Sequence, residues 1–339
     1  MKALVIGGNR FFGKRLVSHF LQKNISVTLL NRGQRQDDFG SKVKRINLDR
    51  KLLHKNHPAL GNEQWDIIYD QVCYDAIEAQ SACEAFEGRT KRYIFISSQS
   101  VYNPGQNISE AAFNPQTYTF ASSVDQDKDY GEAKRQAEAV FFKRAKFPVT
   151  AVRFPIVLGE DDYTERLKFH VEHLREERPI YFPNIDAKIS FIQSADAAAF
   201  LNSLVDKELV GPINCCSSEP ISLRSVVELI EKVVGAKLPL GSKEIADTSP
   251  FGIESDWYMN VSKLDQYGFK VKPINQWLPS LIEILAREVD SSKLLRAAIE
   301  SNLAMTYENR IDAHENAREL LVDLSRAGEE LRAKSQSTS

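Results

Sequence analysis

The chain has 339 residues, 42% hydrophobic and 27% charged, enough for one large domain or two smaller ones around a sizeable core. Its 44 basic and 46 acidic residues leave a formal charge of −2, which offers no overall attraction to nucleic acid or anionic lipid. No stretch approaches the roughly 20 apolar residues of a membrane span, and the apolar run after Met1 is too short for a signal peptide.

The first half alternates short apolar runs with amphipathic stretches, the pattern of a parallel sheet with crossover helices. Lys2–Ile6 reads as a strand and residues from about Phe12 to Lys23 as a helix. Strands follow at Ser26–Leu30, Val43–Leu48 and Asp66–Tyr69, then a helix over Ala76–Phe86. Tyr93–Ile96 is a fifth strand running into Ser97-Ser98. A long helix covers about Asp129 to Ala145, and Thr150–Arg153 is the sixth strand.

After Gly159 the pattern loosens, with a helix around Tyr163–Glu176. Ser190–Ile192 and Asp196–Leu204 look like a strand and helix returning to the main sheet, and Ile213–Cys216 like a further strand. Ser222–Val234 reads as a helix that Gly235 stops. The expected fold class is α/β, a doubly wound parallel sheet. A dinucleotide-binding domain would occupy 1–158, with 189–216 returning to it. A smaller lobe would be built from 159–188 and 217–286, and a helical tail from 287–339. Cys73, Cys83, Cys215 and Cys216 have neither zinc nor disulfide spacing; they read as buried thiols of a cytoplasmic protein. The basic cluster of Lys42, Lys44, Arg45, Arg50 and Lys51 reads as a solvated face.

Gly7-Gly8-Asn9-Arg10-Phe11-Phe12-Gly13 follows the first strand and opens the first helix. That context marks a dinucleotide turn: Gly7 permits the bend, Gly13 allows close packing, and the helix N-terminus offers N–H groups to a pyrophosphate. Arg10 stands where the middle glycine usually lies. The second strand ends Leu30-Asn31-Arg32-Gly33, with a guanidinium where a ribose-binding carboxylate usually stands. Arg10 and Arg32 suit a 2′-phosphate, so NADP(H) is expected to be preferred over NAD(H).

Tyr130-Gly-Glu-Ala-Lys134 sets a phenol and an ammonium four residues apart, one helical turn. A neighbouring cation favours a phenolate, which suits a tyrosine that moves protons. His170 and His173 fall at i, i+3 on an expected helix; without a third ligand they read as surface or pocket lining, and no metal site is expected. Glu160-Asp161-Asp162 reads as a solvated loop. Tyr102 and Tyr118 read as packing or wall residues.

Gly-Gly-Asn-Arg-Phe-Phe-Gly, Ser-Ser-Gln-Ser-Val-Tyr at 97–102, Tyr130 to Lys134, Arg153-Phe154-Pro155, Ser190-Phe191-Ile192 with Asp196, and Pro220-Ile221-Ser222 together carry a family likeness. Over residues 1 to about 286 the chain resembles the extended short-chain dehydrogenase/reductases, the NAD-dependent epimerase/dehydratase group. Within it the chain is similar to an atypical branch of bacterial epimerase-like proteins and chloroplast stem-loop RNA-binding proteins. The resemblance implies a Rossmann-type domain and a catalytic trio of Ser98, Tyr130 and Lys134. Tyr130 would give or take the proton, Lys134 would hold the nicotinamide ribose, and Ser98 would hydrogen-bond the reacting oxygen.

The resemblance also implies that Asn9, Phe11 and Phe12 contact the cofactor, that Asp49 lies near the adenine, and that Asp70, Gln71 and Val72 flank the cofactor. Phe154, Pro155 and Ile156 would meet the nicotinamide end. Substrate would meet Ser98, Gln99, Ser100, Tyr163, Arg166 and His170. The chain departs from the nucleotide-sugar pattern at Ile189, where an arginine is usual, and at Pro155-Ile156-Val157-Leu158-Gly159. The expected function is redox at a C–OH or C=O carbon of a small polar metabolite, ending in net reduction, oxidation or epimerisation. RNA binding and non-catalytic cofactor sensing are the alternatives on this scaffold. The net charge and the intact trio speak for the enzyme, and against nucleic acid as a partner. Apolar positions of the tail, such as Leu294, Leu295, Ile299 and Leu303, lie at helical spacing, which suggests a homodimer.

Overall fold

The computed structural model describes residues 1–303, with side chains through Leu294. The tail beyond residue 303 lies outside the described residues. Residues 1–282 form one compact unit, and a second unit begins at Glu283.

Seven strands make the central sheet: β1 (Lys2–Ile6), β2 (Ser26–Asn31), β3 (Lys44–Asn47), β4 (Ile67–Asp70), β5 (Tyr93–Ser98), β6 (Val149–Phe154) and β7 (Gly211–Asn214). Their spatial order is 3-2-1-4-5-6-7, and every neighbouring pair is parallel. The helices are α1 (Phe11–Gln22), α2 (Ala76–Phe86), α3 (Tyr130–Arg144), α4 (Arg166–Arg175), α5 (Ser194–Ser203), α6 (Leu223–Val234), α7 (Ser262–Tyr267) and α8 (Leu278–Leu303).

Parallel strands buried on both faces need apolar side chains at successive positions, and β1 supplies them. Ala3 and Val5 pack with Leu16, Phe20 and Leu201 of α1 and α5, while Leu4 and Ile6 pack with Ala79, Phe86 and Phe141 of α2 and α3. Each fully buried Leu, Ile or Phe of these layers stabilises by about 1.5–3 kcal/mol. A second, smaller sheet joins Gly105–Ile108, Trp257–Met259, Lys188–Ile189 and Ile221–Ser222.

Local chemistry sets the helix ends. Asp75 caps α2 through the Glu78 N–H, Asp129 caps α3 through Glu132, and Ser222 caps α6 through Ser225. Gly235 ends α6 in the left-handed conformation, φ 76°, as its position in the sequence suggested. The helix expected from Tyr163 begins only at Arg166, because Asp162 folds back on the Thr164 N–H and Glu165 turns left-handed. The strand expected at Ser190–Ile192 is split: Lys188–Ile189 joins the small sheet, and Phe191–Gln193 pairs with Ile156–Leu158. Residue 287, the expected start of the tail, falls inside α8.

Candidate active site

The strand order reverses between β1 and β4, and open sheets of this kind bind ligands outside the carboxyl ends of strands at such a point. Two adjoining cavities lie there, of 490 and 430 Å³. Phe11, Phe12, Gln71, Tyr74 and Tyr163 line both.

The larger cavity gathers the expected catalytic trio. Ser98 ends β5, Tyr130 opens α3, and Lys134 follows one turn later; all three line it. Tyr130 is 40% exposed, whereas Lys134 is 2% exposed. The Lys134 ammonium donates to the backbone carbonyls of Cys73 (2.6 Å) and Ile96 (2.9 Å) and sits 5.8 Å from the Tyr130 ring centre. An ammonium has three donors, so two anchor it and one remains for a ligand. Ser98 Oγ accepts from the Ser100 N–H at 3.1 Å, and its own proton stays available. Burial pushes the Tyr74 phenol well above the ordinary tyrosine range, so Tyr74 is a neutral hydrogen-bonding wall beside the more open Tyr130.

A buried network holds this trio in place. Arg153, at the end of β6, donates to Glu138 of α3 at 2.6 and 3.0 Å, and neither side chain is exposed. Ser97, the neighbour of Ser98, also donates to Glu138, and Arg153 reaches the Tyr102 hydroxyl at 2.6 Å. Glu138 lies one turn beyond Lys134, so these bonds fix the rotation of α3 against β5 and β6. Tyr102 is thereby a packing residue, as expected; Tyr118 donates to Glu132.

The smaller cavity carries the features of a dinucleotide site. Gly7 and Gly8 have φ of 94° and 79°, and a Cβ on Gly8 would lie 2.6 Å from Val5. A Cβ on Gly13 would collide with the Gln71 amide. Phe11, which follows the arginine in place of the middle glycine, itself takes a left-handed φ of 51°. The N-terminus of α1 has no side-chain cap and no acid in its first turn, unlike α2 and α3. Its free N–H groups and the buried, unpartnered Gln71 Nε2 suit the oxygens of a pyrophosphate. Arg10, Arg32, Arg35 and Lys51 bring positive charge, and Arg10 stacks 3.8 Å over the Tyr163 ring. These residues fit a nicotinamide dinucleotide.

Most residues singled out from the sequence line one cavity or the other. Asn9, Arg10, Asn31, Arg32, Asp49 and Val72 line the smaller; Phe154, Pro155 and Ile156, with Gln99, Ser100 and Arg166, line the larger. Several depart from expectation. Arg50, read as part of a solvated face, is 6% exposed and pairs with Asp70, and His173, read as surface or pocket lining, is 1% exposed with its Nε2 2.9 Å from Asp247 Oδ2. The Asp70 carboxylate is fully buried, accepting from Arg50 and Tyr93 at 2.8 and 2.6 Å, so it braces β4 and presents no group to the cavity. Gly13 supports Gln71 and does not line the cavity itself. His170 is 1% exposed and lies behind the wall of the larger cavity, with Nε2 on Ser249 Oγ at 2.8 Å and its ring stacked on Phe251, which lines that cavity. The acidic loop is not freely solvated. Arg15 grips Asp161 at 2.7 and 2.8 Å, and Asp162 lines the larger cavity with a buried, unpartnered Oδ2.

Tyr74 and Arg35 were not singled out. Each lies a few residues past a turn that was, Tyr74 after Gln71-Val72 and Arg35 after Arg32, and an aromatic or second arginine there was the available signal.

A model of the NAD dependent epimerase/dehydratase family matches residues 3–215. Over 221 residues the chain is 28% identical to the chloroplast stem-loop binding protein of 41 kDa b of Arabidopsis thaliana, a match covering 60% of this chain and 55% of that protein. The chain thus spans little more than half of that relative. Among solved structures, UDP-glucuronic acid 4-epimerase from Bacillus cereus in complex with NAD superposes with a TM-score of 0.66 at 16% identity, covering 86% of this chain and 99% of that one. MoeE5 in complex with UDP-glucose and NAD gives 0.63 at 20% identity, covering 85% and 100%.

Proposed function

The chain belongs to the NAD dependent epimerase/dehydratase family, an enzyme family, and from that premise we propose that it is an NADP(H)-preferring oxidoreductase or epimerase acting at a C–OH or C=O carbon of a sugar-like metabolite. One observation carries the reading: Ser98, Tyr130 and Lys134 line a single cavity that adjoins the glycine turn. The bound nicotinamide would supply or accept hydride. Tyr130 gives a proton to the substrate oxygen as charge builds on it, or takes one in the reverse direction. Ser98 Oγ donates to the same oxygen and braces it. Lys134, tied to two backbone carbonyls, spends its third donor on the cofactor side and holds a positive charge beneath the phenol.

The preference for NADP(H) rests on Arg10, Arg32 and Arg35 around the smaller cavity and on the absence of a carboxylate at the end of β2. Titrating the protein with NADPH and with NADH tests it. NADPH is expected to bind tighter, with the advantage largely lost in Arg32→Ala; tighter NADH binding rules it out.

The likeness to the chloroplast protein supports a second reading, RNA binding. Against it stand the formal charge of −2 and the cluster of Arg10, Arg32, Arg35 and Lys51 around one nucleotide-sized cavity. A salt titration with a structured RNA separates the two, because phosphate contacts give a steep salt slope. We further propose a cytoplasmic homodimer. The four thiols, buried and unpaired, suit a reducing compartment. Deleting residues 288–339 is expected to take the mass in solution from that of two chains to that of one, and a two-chain mass in the truncated protein removes the tail from assembly.

A further inference from the structure

Gln99 and Trp257 lie 158 positions apart in sequence and meet across the larger cavity, one just after Ser98 and the other on the small sheet. The Gln99 Nε2 donates to the Trp257 backbone carbonyl at 2.7 Å. That bond sets the amide, since the opposite orientation would face two carbonyl oxygens. The Gln99 Oε1 is left buried without a partner, on a side chain 5% exposed. The Trp257 Nε1–H is likewise buried and unpartnered. A fold does not keep a buried acceptor and a buried donor idle beside a catalytic serine without cost, because each forgoes the hydrogen bonds it makes in water.

The wall around them is neutral. The charged side chains lining this cavity are Lys134, Asp162 and Arg166, which come from α3 and the 162–166 segment. From the side of the small sheet and the 250–257 loop come Ile189, Ser190, Phe251 and Ile253, and the Ser190 Oγ is already engaged by the Met259 N–H.

We propose that Gln99 Oε1 and Trp257 Nε1 read the hydroxyl groups of an uncharged sugar ring and set specificity for a neutral hexose over a uronic acid. A hydroxyl both donates and accepts, and the pair offers one acceptor and one donor. A ring carboxylate has only lone pairs to offer Gln99 Oε1 and finds no cation on that wall. The inference rests on the sugar-like substrate proposed above and narrows it.

Trp257 also supplies the readout. Trp65 and Trp277 are 2% and 3% exposed in the core, so a ligand meeting an indole N–H registers as a change in emission that Trp257→Phe removes. The probes are UDP-glucose, UDP-glucuronic acid, UDP and free D-glucose, titrated into the NADP⁺-loaded protein, with calorimetry for the variants. UDP-glucose is expected to shift the emission saturably and UDP alone not to. Gln99→Met and Trp257→Phe should each weaken UDP-glucose about tenfold, and UDP-glucuronic acid should bind the wild-type protein about tenfold more weakly than UDP-glucose. Cofactor affinity in both variants should match the wild type; if Gln99→Met fails that check, Trp257→Phe carries the test. Equal affinity in the folded variants, tighter binding of the uronate, or no emission change with either UDP-glucose or D-glucose overturns the proposal. A response to D-glucose that UDP does not strengthen removes the nucleotide handle and leaves the hydroxyl-reading pair standing.

Discussion

Tyr130 and Lys134 stand one helical turn apart, yet the fold treats them oppositely. The lysine is buried and pinned by two carbonyls; the phenol is open to the cavity and bonded to nothing among the described residues. That asymmetry suits the proton-carrying role proposed for Tyr130 beside a fixed charge. Tyr130→Phe should lower turnover by about 10²–10⁴-fold while the cofactor dissociation constant stays put; activity near wild type in that variant removes Tyr130 from the chemistry. His170 shows the reverse case, a titratable group placed for support. Burial, only partly opposed by its bond to the Arg166 carbonyl, pushes its pKa from 6.5 down to about 4. Between those values the unfolded chain binds a proton that the folded chain refuses. Stability therefore rises with pH across this window and is lost as the pH falls from 6.5 towards 4, by roughly 2–3 kcal/mol at pH 4.5. Urea unfolding at pH 7 and 4.5 should show this loss, and His170→Gln should flatten it; an unchanged slope in the variant assigns the effect elsewhere.

At the scale of elements, α3 is positioned by chemistry as much as by packing. Glu138 meets Arg153 and Ser97 where α3 crosses β5 and β6, with both charges out of water. Removing one partner of such a pair strands the other, so Arg153→Met should cost about 3–5 kcal/mol in urea unfolding and lower turnover more than substrate affinity. A loss under about 1 kcal/mol would mean that the pair does not hold the helix. These bonds were illegible in the sequence, because Arg153 and Glu138 read there as an ordinary strand end and helix face. What could be read was local. Apolar runs such as Lys2–Ile6 and Tyr93–Ile96 carry their own period, and Asp129 and Gly235 mark helix ends without help from the rest of the chain. The glycine turn was legible because its residues are contiguous. The burial of the Asp70 carboxylate is not legible in the sequence, because its partners, Arg50 and Tyr93, lie about 20 residues away on either side. Nothing in the 160–165 segment announced that Asp161 would be held by Arg15, 146 positions earlier.

For the molecule as a whole, the reversal of strand order brings the glycine turn after β1 and the Gln71–Tyr74 turn after β4 to one crevice, and β5 delivers Ser98 beside it. Binding there should stabilise the fold by mass action, about 2.7 kcal/mol at a hundredfold excess of NADPH over its Kd. The thermal midpoint should rise accordingly, and a midpoint that does not move at that excess would count against the crevice as a dinucleotide site. The most direct measurement is a crystal structure of the protein soaked with NADP⁺. The expected density runs from Asp49 and Arg32 past Gln71, with the nicotinamide ring in the larger cavity beside Ser98 and the Tyr130 hydroxyl. A nicotinamide lying outside that cavity, or a Tyr130 phenol turned away with no room for a ligand between them, would contradict the account.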